Sequence, residues 1–303
     1  MLQEFFQNYS SYEYFLASGQ LFLAMLGMGS LLSIADFLLE IRNPRGLITG
    51  LGFQWVCVPV IALVVANSLS VPTGIAVGLV LIAAVPGGSL SNILTLVGRG
   101  NIALSISLTA ITTVASLFVI PLVLELLVGQ YMPDDFEMPT ARIFREITFT
   151  LLMPLSAGML IRHFAGPERS AKFSKFVIHI SLVFLFGIIL GAIGSGRMDA
   201  NTYGEIGIIS MFLFGIVVQV SAVAVSRIAG ISLRDGLAIV IEATFRNMSL
   251  AMAIKAIVFP AQELGVDPIA DGVLFTIIMY GGICLLLVVF PVVFARKRSP
   301  AIA

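Results

Sequence analysis

Ala83-Ala84-Val85-Pro86-Gly87-Gly88-Ser89-Leu90-Ser91-Asn92 lies in the middle of an apolar run long enough to cross a bilayer, yet it is a poor helix former. Proline removes a helix hydrogen bond, and paired glycines make the helical state unfavourable. Ser89, Ser91 and Asn92 then put three polar side chains within four residues. A second run, Ile239-Val240-Ile241-Glu242-Ala243-Thr244-Phe245-Arg246-Asn247-Met248-Ser249, carries an acid and a guanidinium at a similar depth. Each charge at the midplane costs about 2.5–3.5 kcal/mol on insertion scales, so the two approach roughly 6 kcal/mol. The i, i+4 spacing of Glu242 and Arg246 lets them meet on one helical face, but such a pair returns only about 0.5 kcal/mol in water. A packed proline kink would explain the first run, and a structural ion pair the second. Together they say more. Two interrupted spans, five helices apart and so running in opposite directions, predict an inverted repeat with one discontinuous helix per half. That pattern points to a secondary transporter.

The rest of the chain is composed for lipid. Its 303 residues are 58% hydrophobic and 11% charged, against roughly 25% charged in soluble domains, and mean hydropathy is +1.05. Residues 46 to 98 hold no Asp, Glu, Lys or Arg. Seventeen basic residues balance seventeen acidic ones, which argues against a nucleic-acid partner. Cys57 and Cys284 sit in apolar runs and are too few for a disulfide framework or a metal site. The first 13 residues hold Glu4 and Glu13 and no basic residue, unlike a signal peptide.

A helix needs about 20 apolar residues to cross a bilayer. The apolar runs predict nine spans, at about 14–35, 46–66, 73–97, 102–128, 143–161, 176–196, 205–226, 236–257 and 272–295. Turn signals separate them at Asn43-Pro44, at Gly166-Pro167 and around Pro133, Asp134, Asp135 and Pro139. One set of loops holds twelve basic residues, among them Arg42, Arg45, Arg99, Arg227, Arg234 and Arg298; the other holds Arg142, Arg145, Arg197 and Lys255. The positive-inside rule then puts the N-terminus outside and the C-terminus in the cytoplasm, in a plasma (inner) membrane.

The string Pro86-Gly87-Gly88-Ser89-Leu90-Ser91-Asn92, followed by Arg99-Gly100-Asn101-Ile102-Ala103-Leu104-Ser105 and then by Glu242 with Asn247, resembles the bile acid:sodium symporter family, in its nine-helix form. The likeness runs from about Phe22, through Gly27-Met28-Gly29, to about Pro291. It implies an all-α polytopic membrane protein with a panel of helices (14–35, 143–161 and 176–196) and a core of the other six spans, in which the two broken helices cross. It also implies a first sodium site at Ser91, Asn92, Ser105, Thr109 and Glu242, an all-oxygen set suited to a hard cation.

The second sodium site departs from the family pattern. It would use Gln54, Glu242 and a glutamine four residues further on, and that residue is Arg246 here. Two unit charges about 4 Å apart repel by roughly 4 kcal/mol at an effective dielectric of 20, so a guanidinium there excludes the ion. Arg246 is expected to pair with Glu242 and to donate to the Gln54 carbonyl oxygen. Sodium dependence should therefore be reduced or absent. The alternative is a conventional sodium-coupled symporter using the first site.

The resemblance implies an organic anion, read here as a small carboxylate, near Ser89, Leu90, Asn247, Met248 and Tyr280, where helix N-termini favour negative charge. Phe214-Gly215 and Met279-Tyr280 replace polar His-Asn pairs, which argues against a bile acid as cargo. No cofactor is implied, and sodium is the only metal.

An intramembrane hydrolase would need a base, and the two histidines, His163 and His179, fall outside the interrupted spans. An ion channel would share the charged midplane but pass ions too fast for alternating access. The carrier reading has the panel rock against the core, with Gly27, Gly29, Gly187 and Gly191 as small sliding contacts.

Overall fold

The computed structural model describes residues 2–33, 44–132, 136–198, 200–260 and 267–298. Among them every regular element is a helix. A short α1 (Leu2–Gln7) leads into α2 (Tyr9–Gly29). Then come α3 (Arg45–Ser68), the broken pair α4 (Thr73–Ala84) and α5 (Ser89–Val97), α6 (Ile102–Val128) and α7 (Thr140–Ala165). After α8 (Pro167–Gly194) and α9 (Ala200–Ile228) follow a second broken pair, α10 (Leu233–Thr244) and α11 (Met248–Val258), and α12 (Pro268–Arg298). Six helices among the described residues, α3, α6, α7, α8, α9 and α12, are long and apolar enough to cross a membrane.

Local sequence explains the ends. The Asn101 side chain accepts from the Leu104 N–H at 3.1 Å and opens α6, and Ser232 does the same for Asp235 in α10. Gly230 (φ +65°) takes the left-handed position after α9, returning the chain to α10. Two helices contain a wider π turn, Phe53–Cys57 in α3 and Ile147–Leu152 in α7. Each lies just ahead of a proline, Pro59 or Pro154, whose ring would clash with the carbonyl four residues earlier in a regular helix.

The packing falls into two groups. Helices α2, α7 and α8 pack on one another, while α3 to α6 pack with α9 to α12, and α2 and α7 meet α11 between the groups. Nearly all of α4 and α11, and the second half of α10, are buried. Irregular backbone at membrane depth survives only where protein or water covers it, so the interrupted helices take the centre.

Several sequence expectations shift. The first helix runs Tyr9–Gly29, earlier than 14–35, and residues 34–43, with Arg42 and Asn43, lie outside the described residues, as do Pro133, Asp134, Asp135 and the Arg298 side chain. Lys255, counted with the loops, sits in the last turn of α11 at 1% exposure. The glycines of the first and sixth spans do not face the other helix group. A Cβ at Gly27 would meet Ile178, at Gly29 the Leu155 backbone, at Gly191 the Tyr9 ring, and at Gly187 Leu16. They bind α2, α7 and α8 together because backbones in lipid associate by close approach.

Candidate functional site

The two unwound segments cross as a miniature antiparallel bridge between Gly87 and Arg246. The Gly88 N–H donates to the Phe245 carbonyl (3.0 Å) and the Asn247 N–H to the Pro86 carbonyl (2.8 Å). Each break thus supplies the backbone partner that the other lost on leaving the helix. Val85 and Phe245 are both extended (φ −71°, ψ 153° and φ −93°, ψ 95°), and Pro86 has no N–H to orphan.

Around the crossing, α5, α6 and α10 build an oxygen cluster. Glu242 Oε1 accepts from Ser91 Oγ (2.5 Å), Ser105 Oγ (2.7 Å) and Thr109 Oγ1 (2.8 Å). Asn92 Oδ1 lies 2.8 Å from Ser105 Oγ and 3.4 Å from Thr109 Oγ1. The i, i+4 spacing of Ser105 and Thr109 on α6 puts both hydroxyls on one face. Glu242 is fully buried, and its Oε2 has no hydrogen-bond partner. That oxygen lies against Gly87, where a Cβ would overlap it, so any larger residue at the first break forces the Glu242 carboxylate to move. The five residues expected to hold the first cation are thus in one cluster. Thr95, a turn beyond Ser91 and fully buried, donates to Ser105 Oγ at 3.2 Å. Sequence reasoning missed it, although its i, i+4 relation to Ser91 was visible.

Arg246 does not pair with Glu242. No ion pair within 4 Å joins them, because the i, i+4 rule presumes a continuous helix and α10 unwinds after Thr244. The guanidinium turns to the end of α4 instead. Its Nη2 donates to the Ala83 carbonyl (2.7 Å) and its Nε to the Ile82 carbonyl (3.3 Å), and Nη1 donates to Gln54 Oε1 (2.7 Å). The last carbonyls of a helix carry partial negative charge, so a buried cation there is favourable. The π turn in α3 carries Gln54, and π turns recur at functional sites for this kind of re-aiming. Nothing in Phe53 to Cys57 announces it except the proline that follows. Gln54 Nε2 is buried and unpartnered.

The residues expected to meet an anion are spread around the crossing. Asn247 is the N-cap of α11, its Oδ1 accepting from the Leu250 N–H at 3.1 Å. It therefore stands where Gly88 stands before α5, not where Asn92 stands. Leu90 is 39% exposed and Met248 half-buried. The Ser89 side chain lies outside the described residues; its backbone opens α5. Tyr280 is fully buried, donates to the Thr244 carbonyl at the end of α10 (3.1 Å) and packs against Phe214.

A second charged cluster ties the helix groups together. Glu13 on α2 accepts from Lys255 of α11 and from Arg197, 2.6 Å each, and Arg197 also reaches Asp271 of α12. Elsewhere Gln219 donates to the Leu287 carbonyl (3.0 Å), and His179 Nδ1 lies 2.5 Å from the Lys175 carbonyl of its own helix.

Comparison with known proteins places the chain among transporters by sequence. The family model of the sodium bile acid symporter family matches residues 20–199. An uncharacterized sodium-dependent transporter, YocS of Bacillus subtilis (strain 168), is 32% identical over 179 residues, covering 58% of this chain and 53% of its own length. A probable sodium/metabolite cotransporter, chloroplastic BASS1 of Arabidopsis thaliana, is 30% identical over 233 residues, 77% of this chain and 57% of the relative. Sodium/bile acid cotransporter 4 of Homo sapiens is 25% identical over 250 residues, 80% of this chain and 56% of the relative. The chain spans about half the length of the curated relatives it matches. The family and these three relatives carry the names of transporters. With more than half of its length matched, the chain belongs to the sodium bile acid symporter family.

Proposed function

We propose that this chain is a secondary active transporter of small organic anions, with nine membrane passages arranged as an inverted repeat, in which Arg246 stands in for one of two coupling cations. The observation that carries this reading is the guanidinium itself. Its donors satisfy Gln54 Oε1, one of the oxygens expected of the second site beside Glu242, and two carbonyls at the end of α4. The oxygen cluster at Ser91, Asn92, Ser105, Thr109 and Glu242 keeps the donor set for a first cation, since a hard cation takes oxygen ligands and one carboxylate balances its charge. Coupling by at most one sodium per cycle follows.

The anion sits where α5 and α11 begin, with two helix N-termini and a permanent positive charge nearby. Tyr280 and Phe214 fill space that a bulky cargo would use, which favours small carboxylates over sterol acids. Helices α2, α7 and α8 act as the panel and the rest as the core. The Glu13–Lys255 and Arg197–Asp271 contacts hold the two together on one side of the crossing, and alternating access requires that they part.

Uptake into proteoliposomes tests this, with choline replacing sodium and the cargo chosen by a thermal-shift screen of organic anions. Uptake that persists in choline or needs a single sodium supports the reading; strict dependence on two or more overturns it. Arg246→Gln should raise the sodium dependence.

A further inference from the structure

A groove of about 440 Å³ lies between α9, α10 and α12, on the side where α5 and α9 end and α10 begins. No residue of either unwound segment lines it, so it is separate from the crossing. Its walls are apolar side chains such as Val220, Phe290 and Phe294, which are 64%, 74% and 46% exposed and so face lipid. Arg99, Arg227 and Arg234 form its rim, brought together from three segments. Among the described residues no carboxylate lies within 4 Å of the Arg227 or Arg234 guanidinium. The nearby Asp235 is engaged by Asn101 Nδ2 at 2.7 Å.

Two of these arginines occupy places that local physics disfavours. Arg99 has φ +61° at the end of α5, with its N–H on the Leu96 carbonyl (3.0 Å) and the Gly100 N–H on the Thr95 carbonyl (2.9 Å). That closure normally takes glycine, as Gly230 does at the end of α9. Arg234 lies in the first turn of α10, where the helix dipole opposes a cation. An anion between them offsets both. A further polar group waits in the wall: Ser226 Oγ is buried without a hydrogen-bond partner.

We propose that this groove binds a phospholipid with an anionic head group, its phosphate on the arginine rim, its glycerol region toward Ser226 and its acyl chains along the α9–α12 wall. The positive-inside reading places the rim at the cytoplasmic leaflet, where anionic lipid concentrates. A soluble anion would use the rim but leave the apolar wall unexplained.

Native mass spectrometry of the purified protein tests the assignment, with phosphatidylglycerol, phosphatidylcholine or glycerol phosphate added in detergent. Each arginine near anionic lipid contributes about fivefold in affinity. The expected result is preferential retention of phosphatidylglycerol, weakened about fivefold by Arg227→Gln and about a hundredfold by the triple glutamine variant. Arg99→Gly should melt higher than the parent in lipid-free detergent, yet gain less from added phosphatidylglycerol; a purely structural arginine would not separate these two readouts. Should the triple variant fail to fold, Ala224→Trp fills the groove without touching the rim and should also reduce retention. Equal retention of phosphatidylcholine, or stabilisation by glycerol phosphate equal to that by the lipid, overturns the proposal.

Discussion

Removing the guanidinium from position 246 separates a structural role from a coupling role. In Arg246→Met, the Gln54 Oε1, Ile82 and Ala83 acceptors lose their donors at a site only 2% exposed. Each buried group left unsatisfied costs about 1–3 kcal/mol, so the loss over three acceptors should be roughly 3–9 kcal/mol, and sodium should not restore it. Arg246→Gln is different, because on the proposed coupling role an amide oxygen there would join Gln54 and Glu242 in a second cation site. The variant should be weak in choline and regain stability in sodium, by about 1.4 kcal/mol when sodium exceeds its Kd about tenfold. Thermal unfolding in detergent, parent and both variants in matched sodium and choline salts, reads all of this. A Met variant as stable as the parent would show that the guanidinium does not hold the crossing. A Gln variant whose sodium response equals the parent's would refute the idea that Arg246 replaces a cation.

Gly87→Ala drives a methyl group into Glu242 Oε2 and should abolish uptake with at least a 1–3 kcal/mol loss of stability, on the order of other overpacked sites; parent-like uptake and melting would contradict the close approach. Glu13→Gln should cost about 3–5 kcal/mol, since it leaves the buried Lys255 charge without its carboxylate, and Lys255→Met should cost less, because Arg197 still pairs with Glu13. The double variant should lose less than the sum of the two; strict additivity in a double-mutant cycle would mean that the pair is not coupled. Ser89→Cys should change its labelling by a membrane-impermeant thiol reagent when substrate is added, and constant labelling would count against alternating exposure.

Much of this architecture was legible because the bilayer penalises irregularity. Pro86, Gly87, Gly88 and the Glu242/Arg246 charges stand out against a run with no other reason to hold them, and the helices do unwind there. The limits of α6 coincide with the apolar run 102–128 because Asn101 supplies a cap. What escaped depended on partners distant in sequence. The contact from Arg246 to the end of α4 requires knowing that the two breaks pair through their backbones. Lys255 read as a loop cation because its partner, Glu13, lies 242 residues away. Glu146 is likewise buried at a membrane edge only because Tyr14 and Ser18 of α2 donate to it, both at 2.6 Å. The i, i+4 rule failed at Glu242 and Arg246 for the reason that makes the site: the helix stops between them.

Counting ions per cargo molecule is the most direct test. Proteoliposomes loaded by counterflow with labelled substrate and labelled sodium give the ratio in one experiment. The account predicts one sodium or none for the parent and one more for Arg246→Gln. Two sodium ions per anion in the parent, unchanged in the variant, would contradict it.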